Sequence, residues 1–244
     1  MTTSATKNYK NLPQDLQPLE KLVKKKLLRR KLETSQIAFT KFFFRVRKEQ
    51  FIAAEHHAKI NAALLQLEAG TLRCPATGLL CTNLLITIAP RFGKTQFCVI
   101  DWMARCLAKN PRAKFIHLSY SDDLALDNSA KCRDIVQSAE FQDLWPVRIR
   151  ADTDSKKKWY SEEGGGVYAT AAGGPVTGFG AGSIADGKIP GTETESEDTE
   201  FFDFFQGDDF DYEDGLFYGA IVIDDPIKVD DAFNEKLRNA VTSG

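Results

Sequence analysis

The chain has 244 residues, 43% hydrophobic and 27% charged, so it can bury one large or two small cores and is not compositionally disordered overall. No run approaches the roughly 18 consecutive apolar residues of a membrane span, and MTTSATKNYKN lacks a signal-peptide core, which leads us to expect a cytoplasmic protein. The formal charge is only −2, yet it is spread unevenly: residues 1–50 hold thirteen Lys or Arg against four acids.

In chain order, helical spacing is expected over residues 15–33 and 35–53. Within the first of these, KLVKKKLLRRKLE repeats Leu or Val along a basic segment. Such a helix suits a solvated surface, DNA phosphates or an acidic partner. A third helix is expected over EHHAKINAALLQLEAG at 55–70, with Gly70 as its stop. The β-branched run LLITIA predicts a strand at 84–89, followed by a turn and a helix over 94–108. Next come the turn KNPRA, a strand KFIHLSY at 114–120, and a helix over about 123–139 capped by Ser121 or Asp122. A strand VYATAA at 167–172 leads into GGPVTGFGAG. Residues 193–214 carry eleven acids, six aromatics and no base, which reads as a protruding arm or a segment that docks into a partner. A last strand, GAIVID, ends in Asp224-Asp225-Pro226. Strands alternating with helices predict a mostly parallel sheet covered on both faces. Five cysteines, with no C-x-x-C pair and no histidines spaced as co-ligands, are expected to be free thiols, with Cys98 and Cys106 packing on the helix after the glycine turn.

Two segments carry chemistry. In APRFGKTQ a strand feeds a glycine turn at a helix N-terminus, where backbone N–H groups and the helix dipole favour an anion. Lys94 is the residue to reach the β- and γ-phosphates of a nucleotide, and the Thr95 hydroxyl the one to ligate Mg²⁺. The pattern G-x-x-x-x-G-K-[ST] is incomplete, because Ile88 stands at the first glycine, so a helix start that happens to hold Gly-Lys-Thr stays open on these residues alone. At the second segment, Asp224 would hold the Mg²⁺ shell and Asp225 would polarise the attacking water, while Asp-Pro also favours an ordinary acidic turn.

FIAAEHH, PRFGKTQ, FIHLSYSDDLALDNS, GGPVTGFGAG and IVIDDPIK occur in an order that resembles the large terminase subunits of tailed bacteriophages and prophages, ATP-driven motors that package DNA into procapsids. The resemblance spans about residues 50–230. It implies an α/β fold of the P-loop NTPase type, additional-strand and RecA-like, with ATP and Mg²⁺ as cofactors. It implies a nucleotide site of Pro90, Arg91, Phe92, Gly93, Lys94, Thr95 and Gln96, with Gln50 near the adenine. Lys94 and Asp225 are then catalytic, Arg91 senses or stabilises the γ-phosphate, and Thr95 with Asp224 holds the metal. The implied partners are double-stranded viral DNA, the small terminase subunit, the portal and procapsid, and further copies in a homo-oligomeric ring within the bacterial host cytoplasm.

The departures shape the expectation. Phe179 stands where related glycine motifs often carry a base, and the acidic stretch at about 183–217 reads as an insertion. The sequence ends nineteen residues after Asp225, so we expect a basic helical segment over 1–54, a truncated ATPase domain over 55–244 with an incomplete sheet, and no nuclease domain or nuclease activity. Two other readings stay open: a helicase-type P-loop translocase, and a fragment that binds nucleotide or a partner without turnover.

Overall fold

The computed structural model describes residues 17–153, 155–172 and 216–227. Among these residues six α-helices and four strands follow one another as α1 (Gln17–Glu33), α2 (Gln36–Val46), α3 (Glu55–Glu68), α4 (Asp101–Lys109), β1 (Lys114–Ser119), α5 (Asp122–Gln137), α6 (Ala139–Leu144), β2 (Lys158–Tyr160), β3 (Gly166–Ala171) and β4 (Gly219–Asp224). The strands form one mixed sheet in the order β2-β3-β1-β4. Its centre is parallel: β1 pairs with β3 from Lys114↔Gly166 to Ser119↔Ala171, and with β4 from Lys114↔Gly219 to Ser119↔Asp224. The short β2 runs antiparallel on the β3 edge. The molecule is therefore α/β, with helices flanking a four-stranded mixed sheet.

The helix ends have local causes. Ser35, Ser121 and Ser138 each turn a hydroxyl onto the backbone N–H three residues on, which starts α2, α5 and α6. The predicted helix over 35–53 stops at Val46, because Lys48 takes a left-handed φ of 60° and the Lys48 and Glu49 amides bond back to Arg45 and Phe44. That is a complete Schellman cap with lysine in the usual glycine position. Gly70, with a φ of 63°, closes α3 in the same way through amide bonds from Gly70 to Leu67 and from Thr71 to Gln66.

The expected strand over 84–89 is a correction. The segment does alternate, with Leu84, Ile86 and Ile88 against the core and Leu85 exposed, but it pairs with no strand among the described residues. Alternation prepares a strand, and only a neighbouring backbone completes it; among the described residues β4 lies at the end of the sheet and pairs with β1 alone. A cavity of about 700 Å³ lies between residues 80–82 and the start of β4.

The larger of two buried clusters joins the helices to the sheet, and a smaller one gathers Ile116, Leu118, Tyr160 and Tyr168. Phe39 and Phe43 of α2 pack with Phe141 and Trp145 in a chain of tilted rings, and Phe97, Trp102, Phe115, Trp159 and Val167 continue the same cluster to the sheet. Inside it lies a buried ionic knot. Arg105 is fully buried and donates to Gln36 Oε1 (2.6 Å), to the Glu33 carbonyl (2.7 Å) and to the Glu68 carboxylate. Lys109 (2.8 Å) and the Trp102 indole (2.8 Å) complete the ring of donors around Glu68. The knot ties the end of α1 to α3 and α4. The five cysteines are free, and Cys98, Cys106 and Cys132 are buried.

Candidate functional site

The C-terminal ends of β1, β3 and β4 rise on one side of the sheet, because parallel pairing aligns them. There the Asp122 carboxylate accepts the Ala171 amide (2.7 Å), and the Tyr120 amide donates to the Asp225 carbonyl (3.1 Å), so β1 is stitched to both neighbours. Buried His117 adds a link beneath: its ring nitrogens face the Val222 carbonyl and the Asn128 amide, each at 3.2 Å. Burial lowers its pKa, outweighing the Val222 carbonyl and the Asp224 charge, which favours the neutral ring that this pair of contacts needs.

Residues 90–95 approach the tip of β4 from the other side. Gly93 has a φ of 74° and Arg91 one of 67°, so the turn contains two left-handed residues, one of them non-glycine. The turn continues into a π-helical turn over Gln96–Ile100 before α4, and the Phe97 amide bonds the Gly93 carbonyl at 2.9 Å. A π-turn costs backbone regularity and often marks a functional segment.

Four residues singled out in the sequence meet here. Thr95 Oγ1 donates to Asp224 Oδ2 at 2.6 Å. Lys94 Nζ pairs with Asp225 Oδ1 and stands 3.5 Å from Asp224 Oδ1. Burial alone would lower the Lys94 pKa, but the Asp225 hydrogen bond and the charges of both carboxylates outweigh it and raise the pKa, so the ammonium is fully charged near neutral pH. Asp224 is buried whereas Asp225 is exposed and holds a left-handed φ of 46°. One carboxylate is fixed at the end of β4 and the other faces solvent. No family model, curated protein or solved structure matches this chain.

The remaining predicted residues sit around this cluster. Pro90, Arg91 and Phe92 are exposed on the turn, and Arg91 has no ion pair among the described residues. The Gln96 amide donates to Asp101 Oδ1 (2.7 Å), which directs it into the helix below. Gln50 is exposed, next to Phe51, whose ring packs on His57 and Phe97. Phe179 and the acidic stretch up to residue 215 lie outside the described residues.

Sequence reasoning missed the loop's supports. His57 is buried on α3, takes the Ala54 amide on Nδ1 (3.1 Å) and sets Nε2 3.2 Å from the Phe92 carbonyl. A neutral ring protonated at Nε2 satisfies both contacts; burial and neighbouring His56 lower its pKa, against the Phe92 carbonyl. Asp101, fully buried, keeps Oδ2 without a hydrogen-bond partner, and burial raises its pKa to about 6 against opposing hydrogen bonds from Thr40 and Gln96. The His-His pair in EHH was the only signal for the first of these, and nothing local marks the second.

The donor set suits Mg²⁺ with a polyphosphate. Magnesium takes oxygen ligands at about 2.0–2.1 Å, keeps several waters and is commonly held by one or two protein groups plus phosphate, and two adjacent ligands then stand roughly 2.9 Å apart. Thr95 Oγ1 and Asp224 Oδ2, at 2.6 Å, need to part by only a few tenths of an ångström. Among the described residues no three His, Cys, Asp or Glu side chains cluster as a self-sufficient metal cage.

Proposed function

We propose that this chain binds and hydrolyses ATP with Mg²⁺ as the ATPase part of a terminase-type motor that drives double-stranded viral DNA into a procapsid. The observation that carries the reading is the convergence of Lys94, Thr95, Asp224 and Asp225, drawn from segments about 130 residues apart, at the open end of a parallel sheet. In this reading the turn over 90–95 receives the phosphates, Lys94 swings from Asp225 to their oxygens, and Thr95 with Asp224 holds the metal. The metal supplies charge neutralisation at the phosphates. Asp225, once released, orients water for in-line attack on the γ-phosphorus, and Arg91 is close enough in sequence to share the developing charge. DNA, small subunit, portal and a ring of copies are the partners this reading requires. Among the described residues, no helix is long and apolar enough to cross a membrane.

The Lys94–Asp225 contact also favours a second reading, nucleotide binding without turnover, because it occupies the would-be base. Steady-state phosphate release, with and without linear DNA, separates the two. Turnover that Lys94→Ala abolishes supports the motor. Asp225→Asn is expected to keep nucleotide binding and lose hydrolysis. Phosphate release unchanged by Lys94→Ala would overturn the site, and a wild-type chain that binds nucleotide without releasing phosphate would favour the second reading.

A further inference from the structure

The feature that the ATPase reading leaves unexplained is α1. It is a helix of 17 residues, about 25 Å long, with seven Lys or Arg against Glu20 and Glu33. Among the described residues its second half is anchored: Lys25 pairs with Asp143 at 2.7 Å, Leu28 packs on the core, Leu32 is buried, and the Trp145 indole donates to the Glu33 carboxylate at 2.7 Å. The earlier turns expose Leu19 (56%), Leu22 (48%), Val23 (47%) and Leu27 (63%). Spacings of three and four residues put these on one face, so the helix shows solvent a hydrophobic stripe bordered by cations. Lys24, Lys25 and Arg29 find acids, whereas Lys21, Lys26, Arg30 and Lys31 form no ion pair among the described residues. A stripe of four large apolar side chains beside uncompensated positive charge calls for an occupant that is both apolar and acidic.

Such a segment exists in this chain. Residues 193–214 combine eleven acids with Phe201, Phe202, Phe204, Phe205, Phe210 and Tyr212, and contain no base. A nucleic acid would answer the charge and leave the leucines bare; this segment answers both. Its tether also begins close by. Residue 214 is two positions from Leu216, which lines the same cavity as Glu68; Glu68 is bound by Arg105, and Arg105 donates to the Glu33 carbonyl at the end of α1. Twenty-two residues can span up to roughly 70 Å, so reach is no obstacle along a helix of this length.

We propose that the exposed face of α1 is an intramolecular docking surface for residues 193–214 of the same chain, the phenylalanines on the leucine stripe and the acids against Lys26, Arg30 and Lys31. The proposal is independent of whether the chain hydrolyses ATP. It is tested in the full-length protein with a photo-crosslinking amino acid at the exposed position of Val23, irradiated at low concentration in a mixture of isotopically light and heavy chains. Peptide mapping is expected to place the adducts in 193–214 of the same chain. Neutralising the segment by E193Q, E195Q, E197Q, D198N and E200Q together is expected to lose most of them. Absence of adducts, adducts confined to other segments, to nucleic acid or to a second chain, or a yield indifferent to the five substitutions would overturn it.

Discussion

Replacing Thr95 by valine probes the contact on which the metal assignment rests. The change keeps the shape of the side chain and removes one hydroxyl, the donor 2.6 Å from Asp224 Oδ2. Asp224 is only 7% exposed in its side chain, so water does not readily take the place of the hydroxyl. A hydrogen bond to a charged group is worth about 1.5–3 kcal/mol, and stranding a buried acceptor costs a similar amount. Lys94 still faces the other oxygen of Asp224 at 3.5 Å, which argues for the lower half of that range, about 2 kcal/mol. For a protein of this size that corresponds to a fall in Tm of about 4–8 °C. The second readout is functional: if Thr95 and Asp224 share a metal, losing the hydroxyl weakens Mg²⁺-dependent nucleotide binding by at least about 10–100-fold, the loss seen even for partners outside the coordination sphere. Thermal melts of the free protein and titrations of a fluorescent ATP analogue at fixed and absent Mg²⁺ give both numbers, with Thr95→Ser as the variant that restores the hydroxyl. A Thr95→Val protein with wild-type Tm and an unchanged Mg²⁺ requirement refutes the reasoning.

Two further outcomes concern the frame beneath the loop. Arg105→Ala leaves Glu68 buried with Lys109 and the Trp102 indole as its remaining donors, and is expected to cost about 3–5 kcal/mol in urea unfolding, against about 0.5 kcal/mol for an ordinary surface change; a loss within the smaller figure would show that the knot is not a structural tie. Asp101 has its pKa raised from 3.8 to about 6, so the folded chain binds more protons than the unfolded chain between those values. Its contribution is therefore fully favourable below the unfolded value and is lost as pH rises through about 6, a swing of about 3 kcal/mol. Comparing urea midpoints at about pH 4 and pH 7, Asp101→Asn should lack that swing; an identical pH slope in both proteins would show that Asp101 does not titrate as argued.

Sequence pattern carried much of the sheet and the main site residues. The apolar runs of β1, β3 and β4, the Ser121 cap and the Gly70 stop are local signals, and the structure follows them. That Lys94, Thr95, Asp224 and Asp225 come together was legible because each belongs to a short motif at the end of an apolar run. The failures are of two kinds. Segment 84–89 reads as a strand, but pairing depends on a neighbour that the local pattern cannot supply; β2 escapes notice because three residues, KWY, are too few to show alternation. The early end of α2 needed lysine in a left-handed turn, against the usual preference for glycine. His57, Asp101 and the Arg105–Glu68 knot depend on contacts made by folding, and Arg105 with Glu68 joins residues 37 apart, so no window of sequence reveals them.

The pairing of Lys94 with Asp225 has a consequence for timing. Lys94 and Thr95 answer the charges of Asp225 and Asp224, and these contacts latch the loop to the end of β4. In the proposed reading, Lys94 lets go of Asp225 only when a phosphate offers it a better anion. The carboxylate that orients water is thus withheld until a nucleotide is in place, and the cost of undoing the latch is subtracted from nucleotide affinity. In that reading occupancy and readiness become one event, and ATP is bound more weakly than the loop alone suggests.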